Sequence, residues 1–231
     1  MQRLFTWLPL VRGAIKLKNS FLIMPQRIGI YGGTFNPVHN AHLIMAEHFC
    51  EEMSLDKCFF VPANISPFKT NNSSALSISS ENRLEMLQIA IEESPKFVVD
   101  TFEIEKPDVS YTYLTVDYFR EKYQNDGLFL LLGSDQALFF NKWKNWEQIL
   151  SKVQICIAAR NKLSKLKIKE INKLLTYKQK KPFFLNSPLI DISSTDIRNK
   201  IKTKKSIKYL VPDKLIDFIE KKRLYQSIFD A

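Results

Sequence analysis

Cysteine, histidine and acidic residues in the first part of the chain are scarce, and each shortage narrows the chemistry. The 231 residues include three cysteines, Cys50, Cys58 and Cys156, without paired spacing. That excludes a disulfide framework and suits a reducing, cytoplasmic location. The three histidines all fall between positions 39 and 48. His39, His42, His48, Cys50 and Cys58 are close together but match no known zinc spacing, so no protein-held metal is expected. No run is long and apolar enough to span a bilayer, which excludes a membrane partner of that kind. No Asp or Glu precedes Glu47, and 34 Lys and Arg against 24 Asp and Glu leave a net charge of +10. Such a balance favours polyanions, whether nucleotides or nucleic acid, and fits equally well a merely solvated, Lys-rich surface. What remains, 45% apolar and 25% charged residues, is enough for one domain with a sizeable core.

Residues 1–23 stand apart, with Arg3, Arg12, Lys16 and Lys18 around a short apolar patch from Phe5 to Val11. They resemble a weak targeting peptide, yet the patch contains Pro9 and no convincing cleavage site follows. The expected division is a basic extension over 1–23, with Met24 as an alternative start, and one domain over 24–231.

The densest signal is Ile28 to His42. Arg27–Tyr31 reads as a buried strand, Gly32 and Gly33 follow it, and a helical pattern opens near Asn40 and runs to about Met53. The glycines are expected to let the backbone turn sharply and approach a ligand. A strand, a turn and a helix N-terminus together suit an anion, because free N–H groups and the helix dipole point the same way. His39 and His42 are three residues apart, so both can face one phosphate.

Further along, Lys57–Pro62 reads as a second strand. The polar loop over 63–80 carries Lys69, a cation near a strand end, although a solvated lysine explains it as well. Ser80 is the expected N-cap of the next helix, with Arg83 one turn on and Leu84, Met86, Leu87 and Ile91 as its apolar stripe. Phe97–Ile104 reads as a third strand, and Ser110 is expected to open a helix reaching Tyr123. Leu128–Leu132 is fully apolar, as a central parallel strand is, and Gly133-Ser-Asp135 ends it. A small turn and a carboxylate at that point are where open α/β sheets bind ligands, and Asp135 suits a ribose hydroxyl or a metal. Val153–Ala159 and Pro182–Leu185 complete the strands, with Arg160 placed to grip a phosphate. Between them, residues 162–181 hold eight Lys and one acid, read as a solvated helix face whose apolar stripe runs through Leu163, Leu166, Ile168, Ile171, Leu174 and Leu175. Ser193, Ser194 and Thr195 can cap a helix aimed at an anion, and Arg198 lies one turn on.

Gly32 to His42 resembles the nucleotidyltransferase signature GGTFDPxHxGH, with Asn36 in place of Asp and Ala41 in place of Gly. Ile192 to Arg198 resembles the ISSTxIR signature of its adenylyltransferase branch at every fixed position. Arg83 to Leu87, Ser110-Tyr-Thr112, the spacing from Gly133 and Asp135 to Trp143, and the tail from Tyr209 to Tyr225 resemble the nicotinate mononucleotide adenylyltransferases. Val109 stands where that family has a small residue, and Phe68 precedes Lys69 where it has His.

The resemblance implies a Rossmann-like α/β fold: a doubly wound, mostly parallel sheet with helices on both faces and a small C-terminal helical part. It implies transfer of the adenylyl group of ATP to nicotinate mononucleotide, with Mg²⁺ carried on the ATP. His42, Arg198, His39 and Lys69 would be catalytic. Gly32, Gly33, Thr34, Phe35, His39, His42, Gly133, Asp135, Ser193, Ser194, Thr195 and Arg198 would bind ATP. Thr34, Lys69, Tyr111, Thr112, Trp143 and Arg160 would bind the mononucleotide, with Trp143 stacked on its ring and Trp146 packed in the core. Nicotinamide mononucleotide and phosphopantetheine are the alternative acceptors. Class I aminoacyl-tRNA synthetases carry a similar histidine pair, and Lys162 to Lys165 faintly echoes their lysine loop, but the chain lacks length for an anticodon domain. No nucleic-acid partner is therefore expected. A non-catalytic nucleotide-binding module is the third reading, and self-association is left open.

Overall fold

The computed structural model describes residues 24–65, 78–159 and 164–226. Within them the strands are β1 (Arg27–Gly33), β2 (Lys57–Pro62), β3 (Phe97–Val99), β4 (Gly127–Gly133), β5 (Gln154–Ala158) and β6 (Phe183–Phe184). The helices are α1 (Asn40–Glu52), α2 (Ser80–Ile91), α3 (Thr112–Lys122), α4 (Ser134–Ala137), α5 (Trp146–Lys152), α6 (Lys165–Leu175), α7 (Ser194–Lys202) and α8 (Asp213–Lys221). The strands form one sheet in the order β3-β2-β1-β4-β5-β6, and every neighbouring pair is parallel. This is the doubly wound Rossmann-like arrangement.

The apolar runs are continuous because the sheet is covered twice. Along β4, Leu128, Leu130 and Leu132 enter one core, and Phe129 and Leu131 enter the other. The first core packs α1, α2, α7 and α8 through residues such as Phe49, Met86, Ile197 and Leu215. The second packs α3, α5 and α6 through Phe119, Ile149 and Ile171. A strand facing apolar layers on both sides has no polar side to alternate with. Chain order reverses between β1 and β4, the two central neighbours, and ligands of open α/β sheets bind outside the strand ends at that switch point.

Several boundaries differ from the sequence expectation. The strand expected over 97–104 ends at Val99. Asp100 Oδ1 accepts from the Phe102 N–H at 3.1 Å, and that short-range bond turns the chain away from the sheet. The cap of α2 is Ser79, whose hydroxyl accepts from the Asn82 N–H, rather than Ser80. Ser110 does not open α3; the helix begins at Thr112, with Tyr111 as its N-cap residue and no side-chain cap. Of the stripe expected on α6, Ile171 and Leu175 are buried but Leu166 is 66% exposed. Leu163 lies outside the described residues, as do residues 1–23 and hence the question of a start at Met24. No helix among the described residues is long and apolar enough to cross a membrane.

Candidate active site

A cavity of about 320 Å³ opens at the C-terminal ends of β1 and β4. All twelve residues expected at ATP line it: Gly32, Gly33, Thr34, Phe35, His39, His42, Gly133, Asp135, Ser193, Ser194, Thr195 and Arg198. They come from four separate segments, and the fold alone brings these together.

The first segment is the end of β1. Gly32 and Gly33 do not make the expected sharp turn, since both lie in the extended strand. The turn falls instead at Phe35, whose φ of 47° is left-handed. Its ring is buried against Tyr31, Phe60 and His42, with centroids 5.1–5.6 Å apart. That packing holds a large residue in a conformation side chains usually avoid. The glycines serve close approach. A Cβ on Gly33 would lie 2.9 Å from the Phe35 ring, while one on Gly32 would meet no protein atom within 4 Å and would occupy the cavity itself. Ala41, the departure from the glycine of the signature, is buried in the cavity wall.

The two histidines sit at the start of α1. Their rings stack with centroids 3.7 Å apart. His42 Nδ1 accepts from the His39 backbone N–H at 3.2 Å. With Nδ1 an acceptor, neutral His42 carries its proton on Nε2, which makes that atom a hydrogen-bond donor.

The third segment is the ISSTxIR stretch. Ser193 caps α7, its hydroxyl accepting from the Asp196 N–H at 3.1 Å. Ser194 Oγ donates to the Pro37 carbonyl at 2.9 Å, which pins the helix start onto the loop after β1. Arg198 Nη1 donates to the Asn36 carbonyl at 2.7 Å, and Nη2 donates to Thr195 Oγ1 at 3.0 Å. Two of the five guanidinium donors hold the side chain in place, and the other three are available to a ligand.

The fourth is the end of β4, where a Cβ on Gly133 would meet Asp135 Oδ1 at 2.5 Å. Only glycine lets that carboxylate fold back over the strand end. Ala158, Ile190 and Ile192 add an apolar wall that the sequence reading missed. Ile190 and Ile192 both precede the Ser193 cap, and their signal was apolar residues directly before a polar motif.

Two further missed residues act from beneath. Arg83 is 4% exposed, and Nη1 donates to the carbonyls of Thr34 at 3.0 Å and Ala63 at 2.7 Å. Burial lowers its pKa from the ordinary value, with the charges of Tyr225 and Glu81 opposing. A guanidinium remains charged through such a shift, so it lends positive potential under the loop. Tyr225 donates to Asn36 Oδ1 at 2.6 Å, and burial raises its pKa well above the phenol range, so it stays a donor. An aspartate at position 36 could accept the same bond, so the contact fixes the loop without explaining why Asn stands there.

The residues expected at the mononucleotide divide. Thr34 lies in the cavity, but Tyr111, Thr112 and Trp143 are not among its lining residues. Tyr111 does neighbour the Trp143 segment, because Lys144 Nζ sits 4.6 Å above the Tyr111 ring. Trp143 packs on Phe140 with centroids 5.0 Å apart, and Trp146 is partly buried on the same core. Lys69 and Arg160 lie outside the described residues.

Residues 30–200 match the family model described as Cytidylyltransferase-like. The chain is 35% identical over 202 residues to the nicotinate-nucleotide adenylyltransferase of Bacillus subtilis, covering 87% of this chain and all of the relative. It is 38% identical over 202 residues to a probable nicotinate-nucleotide adenylyltransferase of Caldicellulosiruptor saccharolyticus, again over 87% of this chain and all of that one. The structure of Plasmodium falciparum nicotinic acid mononucleotide adenylyltransferase complexed with NaAD superposes with a TM-score of 0.69 at 22% identity. That superposition covers 87% of this chain and 97% of the other, and shows a shared fold.

Proposed function

Given that the chain belongs to the nicotinate-nucleotide adenylyltransferase family, we propose how its own residues carry out that family's reaction. The protein transfers the adenylyl group of ATP to nicotinate mononucleotide, giving nicotinate adenine dinucleotide and pyrophosphate. A phosphate oxygen of the mononucleotide forms a bond to the α-phosphorus of ATP. The bond from that phosphorus to the α–β bridging oxygen breaks, and pyrophosphate leaves with the electron pair.

No protein nucleophile takes part. Catalysis comes from aligning two bound reactants and from donors placed where negative charge grows. His42 donates from Nε2 and Arg198 from its remaining N–H groups to oxygens of the reacting phosphates. His39, the amides of Gly33 to Phe35 and the first turn of α7 hold the rest of the triphosphate, and Asp135 accepts from the ribose. Ala158, Ile190 and Ile192 offer the adenine an apolar wall. Tyr111, Thr112 and Trp143 receive the pyridine end of the mononucleotide, with Lys69 and Arg160 meeting its phosphate.

Among the described residues, Asp135 is the one carboxylate on the cavity wall, and no group of three or more His, Cys, Asp or Glu suited to a metal occurs. A Mg²⁺ therefore fits as a companion of the ATP phosphates beside Asp135, where it would neutralise their charge. The three buried free thiols suit a cytoplasmic enzyme. Neither a membrane nor a nucleic acid is needed as partner.

The observation that carries this reading is the convergence of twelve motif residues on one cavity at the switch point. The test is pyrophosphate release by purified protein with Mg-ATP and nicotinate mononucleotide, nicotinamide mononucleotide or phosphopantetheine in parallel. Release with the nicotinate acceptor is expected. Release only with another acceptor would overturn the Tyr111, Thr112 and Trp143 assignment, and ATP binding without release would indicate an inert binding module.

A further inference from the structure

Directly after β2 the chain makes contacts on two sides at once. The Ala63 N–H donates to the Gly33 carbonyl at 2.9 Å, and the Ala63 carbonyl accepts from Arg83, which also holds the Thr34 carbonyl. Ala63 is thus tied to the phosphate loop. The next residue, Asn64, is tied to the opposite side. Its N–H donates to Ser110 Oγ at 2.9 Å, and its Nδ2 donates to the Lys106 carbonyl at 2.7 Å. Its Oδ1 accepts from Ser80 Oγ at 3.1 Å, and that same hydroxyl accepts from Arg83 Nη2 at 3.2 Å. The Ile65 carbonyl accepts from the Ser110 N–H at 2.9 Å.

These bonds form one continuous path from Thr34 through Arg83, Ser80 and Asn64 to Ser110. It explains why Ser110 is not a helix cap: its hydroxyl already accepts from the Asn64 N–H. Asn64 is the node: its side chain reaches both the Lys106 carbonyl and Ser80.

We propose that Asn64 is a positioning residue that fixes the 106–112 loop against the phosphate loop at 33–36. This rests on the reading that Tyr111 and Thr112 face the mononucleotide. In-line transfer depends on the relative placement of two reactants, and a misplacement of about 1 Å can cost as much as 100-fold. Asn64 touches neither reactant and acts through the loops it joins.

The test compares Asn64→Ala and the near-isosteric Asn64→Asp with the unaltered protein. Asn64→Ala removes both side-chain links, and Asn64→Asp keeps the acceptor for Ser80 but loses the donor to Lys106. Both variants should raise the KM for nicotinate mononucleotide roughly tenfold while the KM for ATP stays within about twofold. Amide hydrogen exchange should quicken over 106–112 and not over 32–36. A parallel rise in both KM values would reduce Asn64 to general support of the fold and overturn the proposal, as would no change in either. Faster exchange at 106–112 with an unchanged KM for the mononucleotide would also overturn it. Unaltered protein inert toward nicotinate mononucleotide would strike the assignment of Tyr111 and Thr112, a failure separate from the exchange pattern.

Discussion

His42 and Gly32 allow the sharpest tests at the scale of single residues. His42 keeps Nδ1 as an acceptor for the His39 N–H, so the donor that neutral His42 can offer a ligand is Nε2. His42→Ala should lower kcat for pyrophosphate release by roughly 10²–10³-fold, as loss of one donor to a developing oxyanion does; a loss under about tenfold would refute the role. The neighbouring glycines should separate ligand space from packing. Gly32→Ala adds a methyl facing open cavity, so stability should stay within ~0.5 kcal/mol while the KM for ATP rises. Gly33→Ala drives a Cβ to 2.9 Å from the buried Phe35 ring and should cost about 1–3 kcal/mol of stability in a denaturant titration. Equal effects of the two substitutions on stability would contradict this division.

At the scale of elements, two serine caps sit in comparable helices with different surroundings. Ser193 caps α7 beside the cavity, and Ser164 caps α6 on the opposite face of the sheet. Ser193→Ala and Ser164→Ala should each cost about 1 kcal/mol of stability. Only the first should also raise the KM for ATP, which steady-state kinetics would show.

Sequence reading succeeded at this scale wherever a signal was local. Leu128–Leu132 as a central strand and a cap from the Ser193-Ser-Thr195 run before Arg198 needed only their neighbours. It failed where a distant partner decided. Ser110 looked like a helix opener, but its hydroxyl belongs to Asn64, 46 residues away. The glycine pair looked like a turn, but the buried Phe35 ring moved the turn two residues on. Arg83 could be seen as a helix residue, whereas its bond to the Thr34 carbonyl, 49 positions back, exists only in the folded chain. The twelve cavity residues were legible because the motif resemblance had already gathered what only long-range packing assembles.

For the whole molecule, the buried ionisable groups set an alkaline limit. Burial pushes the Cys156 thiol up to about 12, and Tyr225 likewise rises above the phenol range. An unfolded cysteine loses its proton near pH ~8.5 and an unfolded tyrosine near ~10, so above those values the unfolded chain binds fewer protons than the native one. Stability is then fully present below about pH 8.5 and falls as pH rises towards the native values, by up to ~1.4 kcal/mol per pH unit for each such group. Urea midpoints at pH 7, 8, 9 and 10 should be level at first and then decline. A flat profile to pH 10 would show that these groups ionise in the native state as readily as in the unfolded one.

Asn36 sits at the meeting point of Arg198 and Tyr225, which lie 162 and 189 positions beyond it. The histidine turn is therefore synthesised long before either of its clamps. A chain cut before position 198 would carry the first motif without Arg198 or Tyr225 to anchor it, so the order of synthesis makes the loop's assembly a late event.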